Sequence, residues 1–258
     1  MIHAEKRIGN FTSSGIYKLM KSGSRKMTEI ELELYKVENP KGRRTTIDVD
    51  FGDLALTYIS EKQMERKLGR CLNDVGSAKP LIWGRVCEKI AFDLLGIEYT
   101  LISQDTIIHP EIPFFSGSPD GKKEGVVYDI KCPYTIKSFC TFAECKDIAE
   151  IREKHPDGEK YYWQLVSNAI LTDCDKGELI IYCPYKSELE KIRTECENYD
   201  DPNKVAWIVF SNDDDLPYLI DGKFYKNLYK FEFDIPNEDK DYLINRIKKA
   251  EELLEKSH

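Results

Sequence analysis

"FSGSPDGKKEGVVYDIKCPYT", Phe115 to Thr135, decides how this chain is read. Its strand-like core, Val126-Val127-Tyr128-Asp129-Ile130, is mostly apolar, yet it carries an Asp and runs straight into Lys131. A buried strand keeps charges only where they are paired or bind something. Alternation sets Val127, Asp129 and Lys131 on one face and Tyr128 and Ile130 on the other. Asp120 stands nine residues upstream in a Pro-Asp-Gly turn. A hairpin of 113–118 with 126–132 would return it to the same place. Two carboxylates brought together repel, and each raises the pKa of the other. A divalent cation removes that penalty, and carboxylate and carbonyl oxygens suit Mg²⁺ or Mn²⁺. A lysine beside them orients or deprotonates a water, or steadies charge developing on a phosphate. The plainer alternative is a common turn followed by a surface ion pair.

A third carboxylate weighs against that alternative. In "LIWGRVCEKIAFDLLG", helical spacing places Glu88 with Gly84, Ala91 and Leu95, a small and apolar stripe. Glu88 either pairs with Arg85 or Lys89 or points inward to complete a metal site. In "YYWQLVSNAIL", Gln164 shares a helix face with Tyr161, Asn168 and Leu171. Such a residue bonds a neighbouring backbone or serves the site.

Around these segments the periodicity predicts a short helix at "FTSSGIYKLM", helices over 53–71 and 81–95, and strand-like runs at 99–108, 113–118 and 126–132. "GSAKP", 76–80, breaks the chain between the two helices. One helix is expected over 136–154 and another over 161–171, followed by a strand at "GELIIYCPY". A helix over 187–200, strands at "VAWIVF" and "GKFYKNLYKFEFD", and a closing helix over 239–256 complete the chain. Residues 22–50 read as two strands, at Ile30–Leu34 and Ile47–Phe51, around "ENPKGRR", or as a mobile insertion. The alternation predicts one α/β domain over 1–258, a mixed central sheet flanked by helices.

Composition narrows the class. The chain has 258 residues, 41% of them apolar, enough for a sizeable core. No run approaches a membrane span, and "MIHAEKRIGNF" has no apolar core of a secretion signal. The eight cysteines stand singly, so buried reduced thiols in a cytoplasmic protein are expected. A formal charge of −8 argues against a generally basic nucleic-acid coat. It leaves room for a local channel from the clusters Lys18, Lys21, Arg25, Lys26 and Lys41, Arg43, Arg44.

Ser118-Pro119-Asp120-Gly121 followed by Asp129-Ile130-Lys131-Cys132-Pro133 resembles the PD-(D/E)xK nuclease signature, and more narrowly the phage lambda exonuclease family of viral recombination nucleases. Three further segments agree in order. "RIGNFTSS", Arg7 to Ser14, is similar to that family's N-terminal Arg-x-Gly-x-x-Thr-x-Ser. "WGRVCE" is similar to its Trp-Gly-x-x-x-Glu helix, and "YYWQ" to the helix bearing its Gln. The resemblance covers roughly residues 1–20 and 50–185. One departure is visible, since Asp129 stands where the lambda enzyme has Glu.

The resemblance implies a restriction-endonuclease-like fold and a Mg²⁺-dependent enzyme, with Mn²⁺ able to substitute. It implies that Asp120, Asp129 and the backbone carbonyl of Ile130 hold metal and that Glu88 completes the site. Lys131 would orient the attacking water, and Gln164 would position the site. Arg7 and Ser14 would grip a 5′-phosphate. The activity implied is 5′→3′ digestion of linear double-stranded DNA to leave 3′ single-stranded tails for recombination, by a homotrimeric ring working with a single-strand annealing protein. The cytoplasm of a bacterial host, with a phage or prophage gene, is the setting implied. Two rivals are an endonuclease or a CRISPR-associated-type nuclease with an iron–sulfur cluster, and a non-catalytic DNA-end-binding module. Dispersed Cys174, Cys183 and Cys196 count against the cluster.

Overall fold

The computed structural model of the chain describes residues 7–72, 78–102 and 106–256. Residues 1–6 of the stretch read for a secretion signal, Gly76 and Ser77 of the expected break, and residues 103–105 of the expected 99–108 strand lie outside the described residues.

In chain order the strands are β1 (Phe11–Thr12), β2 (Gly23–Lys26), β3 (Thr46–Val49), β4 (Thr100–Leu101), β5 (Ile107–Ile108), β6 (Phe115–Gly117), β7 (Gly121–Lys123), β8 (Val126–Lys131), β9 (Lys176–Tyr182) and β10 (Leu228–Asp234). The α-helices are α1 (Glu29–Glu38), α2 (Asp53–Leu68), α3 (Lys79–Asp93), α4 (Ile136–Ala143), α5 (Ile148–Lys154), α6 (Gly158–Thr172), α7 (Leu189–Glu197), α8 (Pro202–Phe210) and α9 (Asn237–Glu255).

A five-stranded mixed sheet runs β10-β9-β8-β7-β4. Its two middle strands, β8 and β9, are parallel, and every other pairing in it is antiparallel. Both middle strands are buried along nearly their whole length, which is why they read as apolar runs. Their alternating side chains feed two cores. Val127, Leu179 and Ile181 pack with Leu165 and Val166 of α6 and with Leu243 and Ile247 of α9. Tyr128, Ile130, Ile180 and Tyr182 pack with Trp83, Cys87 and Ile90 of α3, Ile192 of α7 and Ile208 of α8. The expected division of β8 into two faces holds, and it places Asp129 and Lys131 toward α6.

Four local expectations are corrected. Strand 113–118 does not form a hairpin with 126–132. β6 instead joins β1 and β5 in a separate three-stranded sheet, and the hairpin partner of β8 is the short β7. Ile30–Leu34 is helical, because Thr28 and Glu31 form a reciprocal capping box that starts α1. β3 does lie in a hairpin, but with β2. "VAWIVF" is the body of α8: Asp201 caps it, Pro202 occupies its first turn, and Val205 and Ile208 bury one face, so helix signals override β-propensity. The single helix over 136–154 is two, since Asp147 accepts from the Glu150 amide at 2.9 Å and starts α5 afresh. Among the described residues no helix is long and apolar enough to cross a membrane.

Candidate active site

β7 and β8 are in antiparallel register, with Gly121 opposite Tyr128. Asp120 immediately precedes β7, so the hairpin brings it beside the end of β8 that carries Asp129. The pairing is fixed chemically as well. Asp120 Oδ2 accepts a 2.7 Å hydrogen bond from the Ile130 amide. The route differs from the expected hairpin, but the two carboxylates meet as expected.

Asp129 is fully buried. The Gln164 side-chain amide donates to its Oδ1 at 3.0 Å. The Lys131 ammonium stands 2.5 Å from its Oδ2. That contact is a close ion pair, and it supplies the counter-charge of the buried carboxylate. Among the described residues Gln164 therefore serves a carboxylate and not a neighbouring backbone. It can do so because α6 packs against β8 and Gln164 lies on the covered face of that helix.

Glu88 comes from α3, on the opposite side of the sheet. Neither pairing considered for it occurs among the described residues: Lys89 pairs with Glu195 at 2.7 Å, and Glu88 has no hydrogen bond or ion pair. Burial pushes its carboxyl up, and Asp129 adds to this, while Lys131 and Arg85 draw it down. Asp120 is held well above the usual carboxylate range by burial first, then by Asp129 and Glu88. Burial works against the charged form of Lys131, but Asp129 and Asp120 outweigh it and hold the ammonium above the usual lysine range. The three acids and the lysine thus form one electrostatic unit.

Among the described residues no group of three or more His, Cys, Asp or Glu side chains gathers tightly enough to hold a metal ion by itself. A metal would rest on the two aspartates and the Ile130 carbonyl, with Glu88 near. The mutual repulsion of the acids fits that role, and every donor is a hard oxygen. The eight cysteines are all free.

The N-terminal pair is also brought together. Arg7 Nη2 donates to Ser14 Oγ at 3.3 Å, its one side-chain hydrogen bond among the described residues. This segment is tied to α6 by the Ser167 hydroxyl, which donates to Ser13 Oγ at 2.8 Å, one turn beyond Gln164. Tyr161 was quoted in the sequence without a role. Its ring lies 5.5 Å from the Lys131 ammonium, and the signal was its i, i+3 spacing from Gln164.

No protein-family model and no curated protein sequence matches the chain. Solved structures do. LHK-Exo in complex with dAMP superposes with a TM-score of 0.58 at 16% identity, covering 99% of this chain and 92% of that one. A second structure of LHK-Exo, an alkaline exonuclease from Laribacter hongkongensis, gives 0.57 at 15% identity over 97% and 90%. A phage-related exonuclease from Haemophilus somnus 129PT gives 0.57 at 17% identity over 96% and 94%. Likeness at such identity speaks for the fold. The chain has the fold of these alkaline and phage-related exonucleases, as the resemblance in its motifs led us to expect.

Proposed function

We propose that the chain is one PD-(D/E)xK nuclease domain, a Mg²⁺-dependent 5′→3′ exodeoxyribonuclease that acts on the ends of linear double-stranded DNA and leaves 3′ single-stranded tails. The observation that carries this is the convergence of Asp120, just before β7, with Asp129 of β8, and Lys131 and Gln164 fixing Asp129. The likeness to alkaline and phage-related exonucleases supports the same class of reaction.

A divalent cation held by Asp120, Asp129 and the Ile130 carbonyl, Mg²⁺ or Mn²⁺ in its place, supplies Lewis-acid polarisation of the scissile phosphate and lowers the pKa of the attacking water. The chain's own residues do the rest. Gln164 keeps Asp129 from rotating. Glu88 adds a carboxylate from the other side of the sheet to receive or relay a proton. Lys131 is held as an ammonium by the acids beside it, so it orients the water and steadies negative charge and does not itself accept the proton. Among the described residues Arg7 spends one side-chain donor, on Ser14, and the pair grips a 5′-phosphate. The homotrimeric ring, a single-strand annealing partner and a phage or prophage setting in a bacterial cytoplasm extend the proposal on the strength of the motif resemblance.

The test is incubation with 5′-labelled linear duplex and with closed circular DNA, with and without Mg²⁺. Loss of the linear species alone, from its 5′ ends and only with metal, is expected. Nicking of the circle would point to an endonuclease, and inertness of both substrates to a DNA-end-binding module.

A further inference from the structure

The first turn of α6 sets a second lysine, Lys160, beside the Tyr161 ring. The Tyr161 ring centroid is 5.5 Å from the Lys131 ammonium and 5.5 Å from that of Lys160. The ring is braced in an aromatic group. It lies 5.9 Å from Phe142 and 6.2 Å from His155, and His155 stacks on Phe142 at 3.8 Å. Ser138 Oγ in turn hydrogen-bonds His155 Nε2 at 2.9 Å. A ring fixed in this way orders the cations near it through its quadrupole.

The two lysines differ in how their charge is met. Lys131 has Asp129 at 2.5 Å. Lys160 has only Asp157, at 3.8 Å, among the described residues. Lys154, one helix earlier, has Glu150 at 2.9 Å. The charge of Lys160 is thus less closely met than that of Lys131, with which it shares the Tyr161 ring. The Tyr161 hydroxyl has no hydrogen-bond partner among the described residues.

A cavity of about 210 Å³ adjoins Lys160, lined in part by Tyr17, Lys21, Asp157, Glu159 and Trp163. Its acids are engaged. Glu159 takes Arg152 at 2.7 Å and the Trp163 indole N–H at 3.0 Å, and Asp157 faces Lys160. Lys21 makes no ion pair among the described residues. The positive charge is therefore left for an outside anion, and the substrate already assigned to the neighbouring site is a polyanion.

We propose that Lys160 and the Tyr161 hydroxyl form a second phosphate subsite, which takes the phosphodiester adjacent to the one being cut. This rests on the nuclease reading, because the ligand is the same DNA strand. Tyr161 gives the two lysines a common rigid reference, so consecutive phosphates of one strand meet two cations set in register. A lysine that neutralises one phosphate releases condensed counterions and so adds to the salt dependence of binding.

The test uses the full chain carrying Asp120→Asn, so that bound DNA is not cut. Binding of a fluorescent 5′-phosphorylated linear duplex is measured in Mg²⁺ over a series of salt concentrations. Adding Lys160→Gln is expected to lower the slope of log K against log salt by about 0.9 and to weaken binding roughly threefold to tenfold at low salt. Lys154→Gln, made as the matched control, should leave the slope alone. Tyr161→Phe should weaken binding without changing the slope, since it removes a hydroxyl and no charge. Parent-like slope and affinity for Lys160→Gln would overturn the subsite while leaving the nuclease reading intact. A parent protein that fails to bind linear duplex would overturn both.

Discussion

Lys131→Met removes the positive charge beside a carboxylate that has no access to water. Asp129 is fully buried, and its Oδ2 has the Lys131 ammonium at 2.5 Å as its counter-charge. Removing one member of a buried pair costs about 3–5 kcal/mol, because the other is left charged and dry. Two features limit the loss here. Gln164 still donates to Oδ1 at 3.0 Å. The lysine side chain is 22% exposed, which screens part of the interaction. A loss of about 3 kcal/mol in metal-free buffer at neutral pH is the result, or roughly 6–12 °C in Tm for a chain of this size. Added Mg²⁺ or Mn²⁺ then replaces the missing charge, so the variant gains more stability from metal than the parent does. Thermal melts of both proteins in EDTA and across a metal titration measure this. Equal melting temperatures in EDTA, or equal gains from metal, would refute the idea that Lys131 balances the carboxylates that a cation would otherwise balance.

Three further outcomes follow from the same geometry. Burial, Asp129 and Glu88 raise the Asp120 carboxyl above its ordinary value, so its contribution to stability is full below about pH 4 and is lost as pH rises through the higher folded-state value. Metal-free melts should show that decline, and Asp120→Asn should flatten it and be the more stable protein at pH 7, while cleaving no DNA in Mg²⁺. Arg7→Ala should slow digestion of 5′-phosphorylated ends more than of 5′-hydroxyl ends, because its guanidinium is held at Ser14 to meet the phosphate; equal slowing of both would contradict that role. Gly117→Ala should destabilise by about 1–3 kcal/mol in denaturant melts, since an added Cβ would sit 2.0 Å from Ser13 Oγ and 2.6 Å from Leu171 Cδ1 where the N-terminal segment meets α6; an unchanged midpoint would show that this contact gives way easily.

The convergence of the acids was more legible than the strand pairing that brings them together. Asp129 and Lys131 could be placed on one face from strand alternation alone, and Glu88 stood out as an acid on an apolar helical stripe. Both inferences need only the local period. Asp120 was rightly joined to Asp129 but by the wrong strand, since nothing in "PFFSGSPDGKK" shows that its first half pairs with β1 and β5 and its second with β8. Strand pairing is a long-range choice that composition does not carry. The errors at Ile30–Leu34 and "VAWIVF" came from weighing β-branched and aromatic residues above the Thr28–Glu31 and Asp201–Pro202 start signals. Tyr161 was passed over because an aromatic at helical spacing is ordinary core material. Its contact with Lys131 exists only once α6 lies on β8.

The claim on which everything else depends is that Asp120 and Asp129, with Glu88, capture a hard cation. Crystals soaked in Mn²⁺ and measured at its absorption edge test this directly. Anomalous density touching Asp120, Asp129 and the Ile130 carbonyl is expected, and it should vanish in Asp129→Ala. Strong density elsewhere with none between these two aspartates would contradict the account.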